Sequence, residues 1–239
     1  MSNVLRYPTQ PQTSGYNQNQ RSRALIVALV AALLCSAQPP KGPAKAASTK
    51  AAPKAGASKL LNPAALNERA PEEYKAKFVT SKGEFIVAVH RSWSPLGADR
   101  FYNLVKNGFY DGCVFFRVLP GFVAQFGLHP NPAVQAKWEK APIKDEKVIK
   151  RNILGYVSFA ASGADTRSTQ VFINLKDNPD LNVQGFTPFG DVVKGIGMTA
   201  LLNGQHRDKP NQQRILRQGN AYLKSAFPDL DYIKTATIE

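Results

Sequence analysis

Residues 115–127 read Phe-Phe-Arg-Val-Leu-Pro-Gly-Phe-Val-Ala-Gln-Phe-Gly, a nearly apolar run with one arginine and a Pro-Gly pair in its middle. A Pro-Gly pair between apolar runs predicts a turn that joins two strands. Period-two alternation places Phe115, Arg117 and Leu119 on one face of the first strand, and Phe122 begins the second. A guanidinium does not lose its charge, so a buried Arg117 needs a partner or a function. From this pattern alone, a structural ion pair or a stem that extends to water is the simpler explanation.

The N-terminal part of the chain differs from the rest in composition. Residues 1–67 hold eight basic residues and no acidic one, so they carry eight of the 14 net positive charges. An apolar run at residues 24–37 is shorter than the roughly 18 residues of a membrane span and fits the core of a signal peptide. Residues 1–37 are therefore predicted to be a targeting segment, either a cleaved signal peptide or a short anchor. Residues 38–70, rich in Pro, Ala and Lys, are predicted to be a linker, and together the two form a disordered extension.

The predicted targeting segment also indicates the cellular compartment in which the protein acts. A signal peptide implies secretion, into a periplasm or the endoplasmic reticulum lumen, and the long acid-free stretch also fits import into the plastid thylakoid lumen. Membrane contact is expected only through an uncleaved N-terminal anchor. No basic-aromatic motif typical of RNA binding occurs, so nucleic-acid binding is not expected.

Residues 71–239 are predicted to form one mainly β domain. Alternating runs at residues 74–80 and 84–90 flank a Ser-Lys-Gly turn and predict a hairpin. Ser94, followed by proline, is placed to begin a helix that ends near Gly108. Residues 128–151 are polar, with Trp138 alone among them, and are interpreted as a long surface excursion.

The second half of the domain continues as strands separated by turns. Strands are predicted at residues 155–160, 171–175, 189–193 and 232–238, a short helix at 196–202, and helical turns at 212–227 broken near Gly219. Few helices and no β-α-β alternation indicate an antiparallel barrel or sandwich.

Motifs of covalent, metal or cofactor chemistry are missing from the sequence. There is no nucleophile elbow, phosphate-binding loop or dinucleotide fingerprint, and the aspartates are scattered over turns. None of the histidines stands beside another His or Cys at metal-ligand spacing. The two cysteines, Cys35 and Cys113, lie in different regions, which excludes a disulfide framework. The remaining chemistry is binding and electrostatics around one arginine among aromatic residues.

Two blocks of the sequence resemble the signature of the cyclophilin-type peptidyl-prolyl isomerases. Residues 115–125 match the family's usual Phe-His-Arg-Val/Ile-Ile-Pro-Gly-Phe-Met-x-Gln. Residues 158–173 read Ser-Phe-Ala-Ala-Ser-Gly-Ala-Asp-Thr-Arg-Ser-Thr-Gln-Val-Phe-Ile and resemble the family's Ser-Met-Ala-Asn-Ala-Gly-x-Asn-Thr-Asn-Gly-Ser-Gln-Phe-Phe-Ile. The resemblance covers residues 72–239, and the ending is similar to bacterial-style members with an extended C-terminus.

This resemblance implies a fold and an activity. The implied fold is a closed eight-stranded antiparallel barrel capped by two helices, which would lie at residues 94–107 and 196–202. The implied activity is rotation about X–Pro bonds in proline-containing polypeptides, which assists protein folding and needs no metal or cofactor. A monomer is expected.

The resemblance also implies site residues, carried over by motif position. The implied catalytic residues are Arg117, Phe122 and Gln125. The implied groove residues are Val123, Ala160, Ala161, Gln170, Phe172, Leu181 and Phe186.

Several positions depart from the family's pattern. Val123 stands for the usual Met, Phe116 for a His, and Phe126 and Leu128 for the Gly and Asp that would follow, so the groove edge is expected to differ. Across the groove, Asp180 stands for a Trp. With a one-residue insertion in this loop, Phe186 stands for a His.

These departures keep other hypotheses open. The chain could be a catalytically weak proline-binding scaffold or chaperone, which would bind peptides without accelerating rotation. A binder of acidic surfaces or nucleic acid that acts through the basic tail is the third hypothesis.

Overall fold

Eight antiparallel strands form one curled sheet in the computed structural model, which describes residues 59–239. The strands are β1 Glu73–Thr80, β2 Gly83–His90, β3 Arg117–Leu119, β4 Val123–Phe126, β5 Tyr156–Phe159, β6 Val171–Asn174, β7 Pro188–Lys194 and β8 Ile233–Ile238. Their order across the sheet is β3-β4-β6-β5-β7-β2-β1-β8. Each strand that alternation predicted lies within a few residues of its expected place.

Closure of the barrel, which was predicted, is not confirmed. Strands β3 and β8 are the two ends of the sheet, and within residues 59–239 no ladder joins them. The ends meet just upstream of β3, through an isolated bridge between Val114 and Tyr232 and three backbone hydrogen bonds beside it. The physical reason is that β3 has only three residues, so the chain meets the other end of the sheet with the segment upstream of it. The sheet is therefore an open, curled half-barrel.

The concave side of the sheet encloses an aromatic core. Phe78 and Phe85 face each other across the β1–β2 hairpin with ring centroids 4.7 Å apart. Phe126 of β4 and Phe101 of the first helix pack on Phe78 at 5.8 and 5.9 Å. All four side chains are at most 1% exposed. Such burial provides the main stabilisation of the domain, at about 25 cal/mol for each Å² of apolar surface.

More helices accompany the sheet than the two expected to cap it and the helical turns predicted at 212–227. The α-helices are α1 Pro95–Lys106, α2 Pro132–Glu139, α3 Pro179–Val183, α4 Gln212–Gln218 and α5 Asn220–Ala226, with 3-10 turns at Pro63–Ala65 and Ile196–Leu201. The first predicted helix is confirmed as α1, whereas the second is a 3-10 turn. The break between α4 and α5 falls at Gly219 as expected. A side chain there would meet the Pro130 carbonyl oxygen at 2.0 Å, and the positive φ of 57° also favours glycine.

Residues 128–151, interpreted from their polar composition as a surface excursion, are one only in part: a helix at Pro132–Glu139 packs on the core, whereas residues 140–151 lie largely at the surface. Asn131 caps α2 by accepting the Ala133 amide proton at 2.9 Å. Trp138 on this helix is fully buried, and its indole nitrogen donates to the Leu60 carbonyl oxygen at 2.9 Å. The composition misled because only Val134 and Trp138 of the helix are large and apolar, yet their i, i+4 spacing puts both on the buried face.

The same segment supplies the cap of α1. Ser94 is the N-cap residue, as predicted, but its side chain caps no amide. Instead the Glu146 carboxylate accepts from the amides of Leu96 at 2.7 Å and Gly97 at 3.2 Å. The carboxylate also accepts from Ser94 Oγ and from the guanidinium of Arg167, which lies at 3.0 Å and is 2% exposed. A carboxylate at a helix N-terminus is favoured by the helix dipole.

Packing begins upstream of Pro71, within the stretch interpreted as linker. Leu60 and Ala70 are 3% and 4% exposed. The predicted targeting segment, residues 1–37, and most of the linker lie outside the described residues. None of the helices between residues 59 and 239 is both long and apolar enough to cross a membrane.

His129 gives the domain a predicted sensitivity to acid. Its ring packs on Phe109 at 5.0 Å, and Nδ1 accepts the Asn131 amide proton at 2.9 Å. Burial lowers its pKa from 6.5 to about 4. Between these two pH values the unfolded chain therefore binds a proton that the folded chain does not bind. The free energy of unfolding consequently decreases as the pH falls from 6.5 towards 4. We expect this one group to cost on the order of 2–3 kcal/mol by pH 4.

Urea unfolding at several pH values measures this effect. His129→Asn keeps an acceptor for the Asn131 amide but does not titrate. The variant should therefore lose less stability than the wild type between pH 6.5 and 4, and equal slopes in both proteins would contradict the assignment.

Candidate active site

Strands β3, β4 and β6 place the predicted site residues beside one another. Arg117 pairs with Gln125 in the β3–β4 register, and Gln125 pairs with Phe172 in the β4–β6 register. Side chains directly opposite each other in an antiparallel pair lie on the same face of the sheet. The arginine, the glutamine and the phenylalanine therefore stand in a row across three strands.

The assignment of faces is correct for Arg117 and Leu119 and wrong for Phe115. Phe115 turns into the core, where its ring lies 5.1 Å from Phe126. Val118 also faces the core, whereas Leu119 packs on the opposite side of the sheet. Alternation fails at Phe115 because β3 begins only at Arg117, and the residues before it follow the bridge to the other end of the sheet.

An apolar cluster covers this outer face next to Arg117. It contains Leu119, Phe122, Val123, Ala160, Phe172, Leu181 and Phe186, with Ala161 packed at its edge. The ring of Phe186 stands edge-on to that of Phe172, with centroids 5.5 Å apart. Only Leu119 was missed by sequence reasoning, although its alternation with Arg117 had placed it on this face.

A chain of polar side chains runs along one side of the cluster. The Arg117 guanidinium donates to Gln125 Oε1 at 3.3 Å, and Gln125 Nε2 donates to Gln170 Oε1 at 2.9 Å. Arg117 is only 6% exposed and Gln125 is fully buried. Because each side chain is fixed by the next, the guanidinium is held in one orientation at the rim of the apolar cluster.

All ten residues that the family resemblance implied are thus brought together on one face. The structure places them but does not test their roles, which stay predictions. The expectation that Phe126 and Leu128 alter the groove edge is wrong. Phe126 lies in the barrel core, and Leu128 packs with Phe116 against Tyr222 of α5, so neither faces the groove.

A buried amide network supports the far wall and was not found from the sequence. Asn152 Nδ2 donates to the Phe186 carbonyl oxygen at 2.8 Å and to Asn182 Oδ1 at 2.9 Å. Asn152 Oδ1 accepts from Ser158 Oγ at 2.9 Å and from Asn174 Nδ2 at 3.2 Å. The network therefore fixes the loop that presents Leu181 and Phe186. Isolated asparagines in loops carry no sequence signal for such a role.

Beside the cluster lies a depression of about 190 Å³, lined by Ala160 and Ala161 of the cluster and by Gln170 of the polar chain. Its other wall comes from the segment around α2, through Gln135 and Glu139. Burial raises the pKa of the Glu139 carboxyl group. The depression and the rim of the apolar cluster lie side by side, and we call them together the groove. Among residues 59–239 no group of three His, Cys, Asp or Glu side chains is arranged to hold a metal ion.

Residues 75–219 match the family model described as cyclophilin type peptidyl-prolyl cis-trans isomerase/CLD. The chain belongs to this family. It is 37% identical over 158 residues to peptidyl-prolyl cis-trans isomerase A of Dickeya dadantii, a match that covers 61% of this chain and 83% of the relative. It is 30% identical over 155 residues to peptidyl-prolyl cis-trans isomerase B of Escherichia coli, covering 58% of this chain and 94% of the relative.

Solved cyclophilin structures share the fold. A cyclophilin-type isomerase of Cryptosporidium parvum superimposes with a TM-score of 0.53 at 21% identity, covering 70% of this chain and 98% of that protein. A second structure of that protein, determined in the presence of the dipeptide Ala-Pro, gives a TM-score of 0.52. The shared fold agrees with the eight antiparallel strands described above.

The amide network leads to a prediction for Asn152→Ala. The substitution leaves Ser158 Oγ and Asn174 Nδ2 without one of their buried partners and frees the Phe186 loop. We expect a loss of about 2 kcal/mol or more in the free energy of unfolding, because unsatisfied buried polar groups are costly. We also expect weaker peptide binding at the cyclophilin groove.

Urea unfolding and peptide titration check both effects, with Asn182→Ala as the control. Water can replace the half-buried Asn182 side chain, so this variant should lose less than half as much stability. Equal losses of stability and of peptide affinity in the two variants would show that Asn152 does not fix the loop that presents Leu181 and Phe186.

Proposed function

We propose that this cyclophilin accelerates cis–trans rotation about X–Pro bonds in polypeptide substrates. The observation that carries the proposal is the fixed Arg117 guanidinium at the rim of a buried apolar cluster. The names of its relatives as peptidyl-prolyl cis-trans isomerases support it. The cyclophilin neighbour studied in the presence of Ala-Pro supports proline-containing peptides as the substrate class.

Rotation of an X–Pro bond needs no nucleophile, which agrees with the composition of the groove. The barrier, about 18–20 kcal/mol, arises from the partial double-bond character of the amide. Twisting the bond removes this resonance and returns the lone pair to the prolyl nitrogen. That nitrogen is then a better hydrogen-bond acceptor than in the planar ground state.

Arg117 would act on this difference between the two states. A guanidinium N–H that donates to the twisted nitrogen stabilises the transition state more than the planar substrate. A barrier lowered by about 7 kcal/mol corresponds to roughly five decades in rate. The arginine keeps its charge over the physiological pH range, so this assistance should not vary with pH there.

The apolar cluster would hold the proline ring while the bond turns. Phe122, Val123 and Phe172 offer the ring an apolar surface, with Leu181 and Phe186 as the far wall. Gln125 would orient both Arg117 and the substrate backbone, and the backbone at Ala160 and Ala161 would flank the peptide. Fixing one side of the bond while the other rotates is a positioning effect.

The finer attributes of this function are part of the same proposal. We infer that the protein acts as a monomer on unfolded or partly folded chains and so assists protein folding. The apolar run at residues 24–37 favours an extracytoplasmic or lumenal site of action. It acts either as a signal peptide or as an anchor.

Exchange NMR on a short Xaa-Pro peptide tests the activity with the full chain. We expect the interconversion of cis and trans peptide to be faster by orders of magnitude when the protein is present. A second candidate is the non-catalytic scaffold, favoured by the departures from the family's pattern at Asp180 and Phe186. Peptide binding without faster interconversion would support the scaffold and reject catalysis.

A further inference from the structure

The depression beside the apolar cluster differs from the cluster in its chemistry. Its volume is about 190 Å³, and most of the residues that line it are polar. Among these described lining residues, Glu139 is the only one that carries a charge. Ala160 and Ala161 line both the depression and the cluster, so the two adjoin each other. A peptide whose proline lies on the cluster can therefore place a second side chain in the depression.

The alternation of an extended peptide indicates which side chain this is. Side chains two residues apart in an extended chain point to the same side, ~6.6 Å apart along the chain. With the proline ring held on Phe122 and Phe172, the neighbouring residue of the peptide points away from the groove. The second residue from the proline points back towards it and reaches the depression.

The Glu139 carboxylate has no cationic partner within the domain. Gln135 and Glu139 are four residues apart on α2, so both lie on the helix face that lines the depression. Glu139 takes part in none of the ion pairs between residues 59 and 239. Lys137 and Lys140 are two residues before it and one after it, spacings at which helical side chains do not face each other. A cation that enters the depression would be the first ion-pair partner of this carboxylate.

The position of Glu139 in its helix gives the domain no evident structural benefit. It is the last residue of α2, where the helix dipole disfavours a negative charge. Glu146, by contrast, accepts from amides at the start of α1, where the dipole favours a carboxylate. Burial also raises the pKa of the Glu139 carboxyl group. A bound cation would offset both unfavourable effects.

Two hydroxyl groups that line the depression can act towards a ligand only as acceptors. Thr166 Oγ1 donates its proton to the Gly163 carbonyl oxygen at 2.8 Å, and Ser168 Oγ donates to the Trp138 carbonyl oxygen at 3.1 Å. A hydroxyl group has one proton to donate and two lone pairs that accept. These oxygens, together with the carboxylate, match a side chain that carries several N–H donors and no acceptor.

The amide side chains of this wall are engaged with the protein. Gln135 Oε1 accepts from the His129 amide at 2.7 Å, and its Nε2 donates to Thr169 Oγ1 at 3.4 Å. Gln170 is held through its Oε1 by Gln125 at 2.9 Å. Glu139 is therefore the strongest polar group of the wall that has no partner in the protein.

We propose that the depression is a subsite that selects lysine or arginine at the second residue from the bound proline, with Glu139 as the counter-charge. The inference rests on the proposed binding of proline-containing peptides in the groove. The ammonium or guanidinium group would pair with the carboxylate and donate to the hydroxyl oxygens. The aliphatic part of the same side chain would lie along Ala160 and Ala161.

Peptide titration with the full chain tests the subsite. Two peptide series vary a single residue among Lys, Arg, Gln and Glu, in one series at the second residue before the proline and in the other at the second residue after it. In one of the two series we expect the Lys and Arg peptides to bind about three- to tenfold more tightly than the Gln peptide. The Glu peptide should bind more weakly than the Gln peptide. Added salt should reduce these differences.

Variants of Glu139 show whether its charge causes the preference. Glu139→Gln keeps the size of the side chain and removes the charge, so the preference for Lys should disappear while the affinity for the Gln peptide is retained. Glu139→Lys should reverse the preference in favour of the Glu peptide. Glu84→Gln is the control, because it removes a carboxylate on β2 whose side chain is 51% exposed, and it should keep the preference for Lys. Thermal unfolding confirms that each variant is folded.

Two results would overturn the proposal. One is equal affinity for the Lys and Gln peptides in both series, and the other is a preference for Lys that survives in Glu139→Gln. The rate of X–Pro rotation in the same samples separates this inference from the proposed activity. A preference for Lys without faster rotation would reject catalysis and retain the subsite, whereas faster rotation without any preference would reject the subsite alone.

Discussion

Arg117→Ala is expected to lower kcat/KM for an Xaa-Pro peptide by about 100- to 1,000-fold, the usual cost of removing one transition-state donor. The guanidinium is fixed by Gln125 at the rim of the apolar cluster and is 6% exposed. Peptide affinity should change far less than the rate, because the planar ground state gains little from the donor. Exchange NMR gives the rate, and titration gives the affinity.

A second variant tests whether the charge of Arg117 is sufficient without its planar guanidinium, and a third is the control. Arg117→Lys keeps the charge but not the planar fork, so its rate should fall between those of the wild type and Arg117→Ala. Arg217→Ala removes an exposed arginine on α4 and should leave the rate unchanged. An Arg117→Ala protein that is folded and retains more than half of the wild-type rate would remove Arg117 from the proposed mechanism.

Arg167→Met is expected to cost about 3–5 kcal/mol in the free energy of unfolding. The Arg167 side chain is 3% exposed and lies 3.0 Å from the Glu146 carboxylate, whose side chain is 13% exposed. Removing the guanidinium leaves this largely buried carboxylate without its cationic partner. Such a loss is far more costly than the loss of a surface ion pair. Urea unfolding measures the change.

A double variant distinguishes the cost of an unpaired charge from the value of the pair. Arg167→Met with Glu146→Gln removes both charges and keeps an amide oxygen for the Leu96 amide. We expect it to recover most of the stability lost in Arg167→Met. Lys144→Ala breaks a nearby exposed pair with Asp165, whose side chains are 78% and 44% exposed, and should cost less than 1 kcal/mol. A double variant as unstable as the single one would show that shape, not charge, is what Arg167 provides.

The ion pair between Glu146 and Arg167 also matters for the groove, because Glu146 connects three parts of the chain. Its carboxylate binds the start of α1 and Arg167, and its carbonyl oxygen accepts from Thr187 Oγ1 at 2.8 Å. Arg167 precedes Gln170, and Thr187 follows Phe186, so the two groove walls meet at this residue. We therefore expect loss of the pair to weaken peptide binding as well as stability.

The replacement of the family's histidine by Phe116 has a structural explanation. Phe116 is 1% exposed and packs with Leu128, Ile215 and Tyr222 in a second apolar cluster beneath α4 and α5. A histidine there would have to bury a polar ring nitrogen among these side chains. The packing of α4 and α5 therefore fits an apolar residue immediately before Arg117.

The amino-acid sequence alone determined the strands and one side of the site. Alternating apolar residues specify β1, β2 and the β3–β4 turn, because a strand with one buried face must place its side chains with period two. Local chemistry also specified α1 and the break at Gly219. Together with motif position, these local signals were enough to name Arg117, Gln125 and the apolar residues around them.

The residues that hold that site in place follow from long-range packing and not from local sequence patterns. Trp138, Glu146 and Asn152 lie in a polar segment with little periodicity, and their partners are far away in sequence. Their burial depends on long-range contacts with Leu60, Arg167 and Phe186. The open edge between β3 and β8 is likewise a property of chain packing, since local alternation says which face of a strand is buried but not which strand lies beside it.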